Sequence, residues 1–184
     1  MRLGAFFFEI MPLAGFFFGF HYYGLFVAAV ISVVLAGIVL ALAWWRARYV
    51  APFPMFSLVL SAGFTAAAVL FDAAIFIKIQ PTIFNGLFAA VLLGGLLIGR
   101  AMMQVFFAKQ FFLTDETWYR LSCRWGWFFL CLALANELVW RNASDADWVF
   151  FKTFIAAPAS VLFMLAQLPL TIRGRIKSDN LKQG

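Results

Sequence analysis

The chain has 184 residues, of which 65% are hydrophobic and only 12% charged, with a formal net charge of +6 and a mean hydropathy of +0.95. A soluble domain carries roughly 25% charged residues. So much apolar surface would leave large exposed patches on a soluble fold of this length, whereas a bilayer solvates them. No basic run interleaves with aromatics, which argues against nucleic-acid binding. The basic excess instead reads as topology, facing anionic headgroups at the cytoplasmic surface.

The first apolar segment, about residues 5–22, contains Glu9 and Pro12. Both interrupt the run, and no small-residue cleavage site follows, so it reads as retained rather than as a signal peptide. It either spans the bilayer or lies as a re-entrant or interfacial helix, kinked at Pro12. A bilayer core needs about 20 apolar residues per helix. Residues 24–45 meet this with no charge, closed by Arg46 and Arg48. A second clear span is expected over about 53–71. A polar-flecked connector, Asp72–Gln80, follows and is expected to dip into the interface, because Phe76, Ile77 and Ile79 are apolar. Pro81 then fits the first turn of a span over about 82–99.

Residues 100–113 are too polar to span and too apolar for a free loop. Met103, Phe106, Phe107 and Phe111 recur at helical spacing, predicting an interfacial amphipathic helix that breaks near Leu113. Thr114, followed by Asp115 and Glu116, reads as an N-cap with acids in the first turn. Spans of about 122–140 and 148–171 follow, then a polar tail over 173–184. The fold class is therefore all-α, a polytopic transmembrane bundle of five or six spans with one cytoplasmic interfacial helix, in a single membrane domain. With six spans and the N-terminus inside, the inner face holds Arg2, Arg46, Arg48, Arg100, Lys109, Arg120, Arg124, Arg173, Arg175, Lys177 and Lys182. Only Lys78, Arg141 and Lys152 fall outside. This bias puts the C-terminus in the cytoplasm. Moving the first segment transfers only Arg2, so the count does not separate five spans from six.

Little in the sequence suggests catalysis. His21 is the sole histidine and sits beside Tyr22 and Tyr23 as an interfacial aromatic, with no second ligand at metal spacing. Cys123 and Cys131 lie about 12 Å apart along one helix, too far for a disulfide. The motifs of serine hydrolases, phosphate loops and zinc proteases are absent. No enzyme activity, cofactor or metal is expected. Ionisable residues inside spans are costly and usually paired or functional. Glu137 and Lys152 are expected at similar depth on adjoining antiparallel helices and are predicted to form an ion pair. Such a pair serves to close the hairpin or to bind a polar ligand; alternatively Lys152 snorkels alone. The pairs Gly15/Gly19 and Gly95/Gly99 fit the close-packing pattern of membrane helices.

Several of these residues carry a family resemblance. Phe76–Thr82, reading FIKIQPT, resembles the FIK-x-(K)-x-T signature of the YciB family, also called intracellular septation protein A. Trp118 with Leu121 resembles its W-x-x-L, Trp125 with Phe128 and Phe129 its W-x-x-FF, and Trp148 with Phe151 and Lys152 its W-x-x-FK. Asn136 is in place, and Met11-Pro12-Leu13 is similar to the family's opening. Gln80 stands where many members carry a second basic residue, and Glu137 where members often have an uncharged one. The resemblance covers essentially the whole chain. It implies a bacterial inner-membrane protein of envelope integrity and septation with no established catalytic residue or cofactor. Phe76, Ile77, Lys78, Thr82, Trp118, Trp125, Asn136, Trp148 and Lys152 become candidate interaction residues, the tryptophans also suiting interface anchors. The expected partners are membrane lipids and inner-membrane envelope-synthesis or division proteins, with the oligomeric state open. The rival reading is a small transporter or lipid-handling protein whose polar cavity is lined by Glu9, Lys78, Glu137 and Lys152.

Overall fold

A computed structural model describes residues 3–47, 52–108 and 111–176, with side chains described for 11–46, 55–108 and 111–176. The side chains of Arg2, Glu9, Arg48, Lys109, Lys177 and Lys182 lie outside the described residues, as does the tail beyond residue 176.

The described chain is helical: α1 (Leu3–Tyr23), α2 (Leu25–Ala47), α3 (Pro52–Leu70), α4 (Ile75–Leu97), α5 (Met102–Phe107), α6 (Asp115–Asn142), α7 (Asp145–Phe150), a π-helical turn (Phe151–Ala156) and α8 (Ala157–Arg173). The π-helical turn joins α7 to α8 as one continuous run. Three described segments are long and apolar enough to cross a membrane: Leu25–Arg46, Ile75–Leu97 and Asp145–Arg173. Met55–Leu70 is a shorter apolar helix. At 1.5 Å per residue, α1 is about 31 Å long and α6 about 42 Å, each the length of a bilayer core or more.

Pro12 lies inside α1, which carries on through it to Tyr23. A single residue, Gly24, then turns the chain with φ of +82°. Only glycine adopts that conformation without a steric penalty. The next helix returns along the first: Gly15 faces Ile31 and Leu35, and Gly19 faces Ala28 and Ile31. The expected small-residue packing at Gly15/Gly19 is therefore an intramolecular α1–α2 contact. Gly37 of α2 in turn faces Leu58 of α3.

The second glycine pair behaves differently. Gly95 faces Met102, while Gly99 lies beyond the end of α4 with φ of +72°. The Arg100 N–H donates to Gly95 O at 2.8 Å and the Gly99 N–H to Leu96 O at 3.1 Å. This pair of bonds is a Schellman cap. Gly99 thus terminates α4, while Gly95 lets the Met102 side chain of α5 approach the end of that helix closely.

The Asp72–Gln80 connector is also corrected. Helix α3 ends in the same kind of cap, with Asp72 at φ of 49° and the Ala73 N–H donating to Ala68 O. The connector is then only Asp72–Ala74, and α4 begins at Ile75. Pro81 falls inside α4, beyond its first turn. Proline costs one backbone hydrogen bond there, but the apolar residues on either side keep the helix continuous. The Asn85 amide donates back to Pro81 O at 2.8 Å.

The interfacial segment is shorter than expected, with α5 running only Met102–Phe107. The Thr114 cap forms as predicted: Thr117 N–H donates to its Oγ1 at 3.4 Å, and Asp115 and Glu116 occupy the first turn of α6. The helix begins there, seven residues before the expected span. Leu113 makes a single antiparallel bridge with Arg175. Beside it, Thr114 N–H donates to Gly174 O at 3.0 Å and Ile176 N–H to Phe112 O at 2.9 Å.

The structure divides into two compact units. Unit one is residues 1–80 with 142–153; unit two is residues 81–141 with 154–184.

Candidate functional site

The candidate residues separate into one cluster in each unit. In unit one, the segment opening α7 is set by a capping box. Ser144 Oγ accepts from Asp147 N–H at 3.2 Å, and Asp147 Oδ2 accepts from Ser144 N–H at 3.4 Å. This fixes the start of the helix and hence the faces of Asp145, Trp148 and Lys152, spaced by three and four residues. Asp145 pairs with Lys78, in the first turn of α4. Gln80, one turn edge away, donates to Ser61 Oγ of α3 at 2.6 Å. Trp148 is wholly buried and meets the Phe16 ring edge-on, centroids 6.0 Å apart. The Lys152 ammonium lies 4.0 Å from the Phe16 centroid and 5.1 Å from that of Trp148. Aromatic faces stabilise a cation by about 0.5–2 kcal/mol, more as water is removed. Ile77 is buried, and Phe76 stands half-buried against Phe71.

In unit two, α4 and α6 run antiparallel. Thr82 meets Asn136 and Glu137, Phe88 meets Phe129 with centroids 5.5 Å apart, and Leu93 meets Gly126. A Cβ at Gly126 would stand 2.7 Å from Leu93 Cδ2 and 2.8 Å from its Cγ, so a larger residue there displaces Leu93. At the Thr82 end the polar groups form a chain. Asn136 Nδ2 donates to Thr82 Oγ1 at 2.9 Å, and Thr82 Oγ1 donates to Glu137 Oε2 at 3.1 Å. Glu137 Oε2 also accepts from Trp140 Nε1 at 2.8 Å, and its Oε1 accepts from Arg141 Nε at 2.5 Å. The carboxylate thus has donors at both oxygens. Such charge-assisted bonds are about twice as strong as neutral ones.

The same unit holds Trp118 and Trp125. Trp118 is 2% exposed, clustered with Leu113 and Leu121, against which Ala101, Met103, Trp125 and Leu170 pack. Trp125 meets Phe163 edge-on at 4.9 Å, and Phe128 stacks on Phe163 at 4.0 Å. Trp118 and Trp148 are therefore core residues. The interface-anchor reading fails for both because their indoles are withdrawn from any surface.

The two residues of the predicted Glu137–Lys152 ion pair fall in different units, and each has partners within its own: Arg141, Trp140 and Thr82 for Glu137, and two aromatic faces for Lys152. Sequence reasoning missed Asp145 as the partner of Lys78. Its only signal was the S-D-A-D cap, which marks a helix start and says nothing of a partner 67 residues away. It also missed Gln167, buried on α8 and bonded to Arg124. Of the four charges assigned to a cavity, the Glu9 side chain is outside the described residues, Lys78 and Lys152 belong to unit one, and Glu137 to unit two. Among the described residues no cluster of His, Cys, Asp and Glu could hold a metal ion.

Apolar helices of spanning length, with polar side chains paired internally, define an all-α integral membrane protein. The sequence pattern of Intracellular septation protein A matches residues 5–177, and the chain belongs to that family. Among its relatives is the Inner membrane-spanning protein YciB of Sinorhizobium medicae, 38% identical over 158 residues, covering 86% of this chain and 75% of the relative. The protein of the same name from Rhizobium meliloti is 39% identical over 157 residues (85% and 72%), and that from Brucella anthropi 38% over 156 (85% and 71%). No solved structure matches.

Proposed function

We propose that this chain is a multi-pass protein of the bacterial inner membrane that supports envelope biogenesis and septation, holding protein or lipid partners without catalysing a reaction. The family name and the names of the relatives support the location and the process. One structural observation carries the mechanism. Within each unit the polar side chains of the helices are bonded to one another: Lys78 to Asp145, and Asn136 through Thr82 to Glu137, Trp140 and Arg141. A reaction centre needs converging acid, base or nucleophile groups aimed at a substrate. These groups are instead engaged in fastening helices. The C-terminus faces the cytoplasm in this reading, following the basic bias.

One experiment tests both parts. A bacterial strain lacking its own family member is made to express this chain with a fluorescent protein, one that matures only in the cytoplasm, fused after Gly184. The expected result is restored cell length and septum spacing together with membrane fluorescence. Membrane-inserted protein that leaves division defective overturns the septation role. Restored division in dark cells overturns the orientation.

A further inference from the structure

Helix α6 carries an exposed stripe with an abrupt change of chemistry. Trp127, Cys131, Leu134 and Leu138 are exposed at spacings of three and four residues. One turn before Trp127 the same stripe continues as Arg124, Arg120 and Glu116, all exposed. Arg120 and Glu116 pair with each other at 2.5 Å. Arg124 has no carboxylate among the described residues. Its Nη1 donates to Gln167 Oε1 of α8 at 3.2 Å.

Gln167 is built for this. It is buried, and its own Nε2 donates to Phe163 O at 3.3 Å, which turns Oε1 towards Arg124. A guanidinium has five N–H donors, and Gln167 takes one.

The depth of Arg124 follows from the register of the α6–α8 pair. Phe128 stacks on Phe163, Arg124 meets Gln167, and Gly174 packs on Thr117, so the helices run antiparallel. The exposed apolar face of α8 continues past Gln167 to Ile172. Arg124 therefore lies at the level of Gln167, about 7.5 Å (five residues of helix rise) inside the apolar end of α8. A cation facing lipid at that depth is costly unless an anion meets it or it snorkels to the surface. The tie to Gln167 holds one edge of the guanidinium against α8. The chemistry that fits the remaining donors is a phosphate oxygen with net negative charge, at the level where headgroups sit.

We propose that Arg124, positioned by Gln167, binds the headgroup of an anionic phospholipid in the lipid-facing groove of α6 and α8. This rests on the membrane placement of the chain and does not depend on the septation role. It names a lipid class that the scaffold reading leaves open.

The test is native mass spectrometry of the purified full chain in detergent with equimolar phosphatidylglycerol and phosphatidylcholine. The wild type retains phosphatidylglycerol in preference to phosphatidylcholine. Arg124→Gln lowers phosphatidylglycerol retention about tenfold, and Gln167→Leu lowers it by less. Arg124→Lys, which keeps the charge but loses the planar fork, falls between and serves if Arg124→Gln does not fold. Arg46→Gln, which removes a charge at the end of α2, leaves retention unchanged. Arg124→Gln or Arg124→Lys indistinguishable from wild type, or equal retention of the two lipids, overturns the proposal. The readout uses purified protein, so failed rescue of division in cells would leave it standing.

Discussion

Thr82 shows how much one side chain can hold in a membrane helix. Its hydroxyl accepts from Asn136 and donates to Glu137, so one oxygen joins α4 to two consecutive residues of α6. Replacing it with valine keeps the shape and removes both bonds. Losing a partner of a buried polar group costs about 1–3 kcal/mol. Thr82→Val should lower the thermal stability of the purified protein by that amount, and Asn136→Ala by a similar one. The double variant should cost less than the two single effects added, with a coupling of about 0.5–3 kcal/mol. Strict additivity would show that the chain of bonds does not act as a unit. The sequence marked Thr82, Asn136, Lys78 and Lys152 by resemblance and burial cost, and each takes part in a specific contact. Their partners were harder to read. The expected Glu137–Lys152 pair came from equal depth on neighbouring helices. Depth sets height along a helix and leaves azimuth open, whereas the Glu137–Arg141 pair follows from their four-residue spacing on one helix.

Among the elements, the helix ends were legible where a local rule governs them. Thr114 reads as a cap because a hydroxyl followed by two acids satisfies free N–H groups and the helix dipole, a device complete within four residues. The start of α4 is hard to read in the sequence for the converse reason. Pro81 suggested a first turn, but the residues before it are helix-compatible, and the true break, Asp72 in a left-handed conformation, carries no glycine to announce it. Gly95/Gly99 and Gly15/Gly19 have the same spacing and opposite uses. One lies at a helix end and one in the middle of an interface, a distinction spacing alone does not carry. Gly19 gives the sharper test. A Cβ there would stand 3.0 Å from Ala28 Cα, a backbone atom that cannot move without its helix. Gly19→Val should therefore push α1 from α2 and cost about 1–3 kcal/mol in thermal unfolding. Gly63→Ala has no neighbour within 4 Å of the added carbon and should be neutral or slightly stabilising. Equal effects at the two positions would contradict the close α1–α2 approach.

For the molecule as a whole, composition gave the class directly. An all-α membrane bundle follows from the apolar excess and from the need to satisfy every backbone polar group inside the bilayer. The function was legible only through resemblance, since no constellation of reactive side chains marks it. If the chain works by contact, its exposed interfacial surface is where partners meet it. Val105 on α5 is 65% exposed and takes part in none of the described polar contacts. The most direct measurement is photo-crosslinking in dividing cells from a photoreactive residue in place of Val105, with adducts identified by mass spectrometry. The expected result is adducts with defined inner-membrane division or envelope-synthesis proteins, enriched in cells that are building septa. Recovery of lipid adducts alone, unchanged through the division cycle, would contradict it.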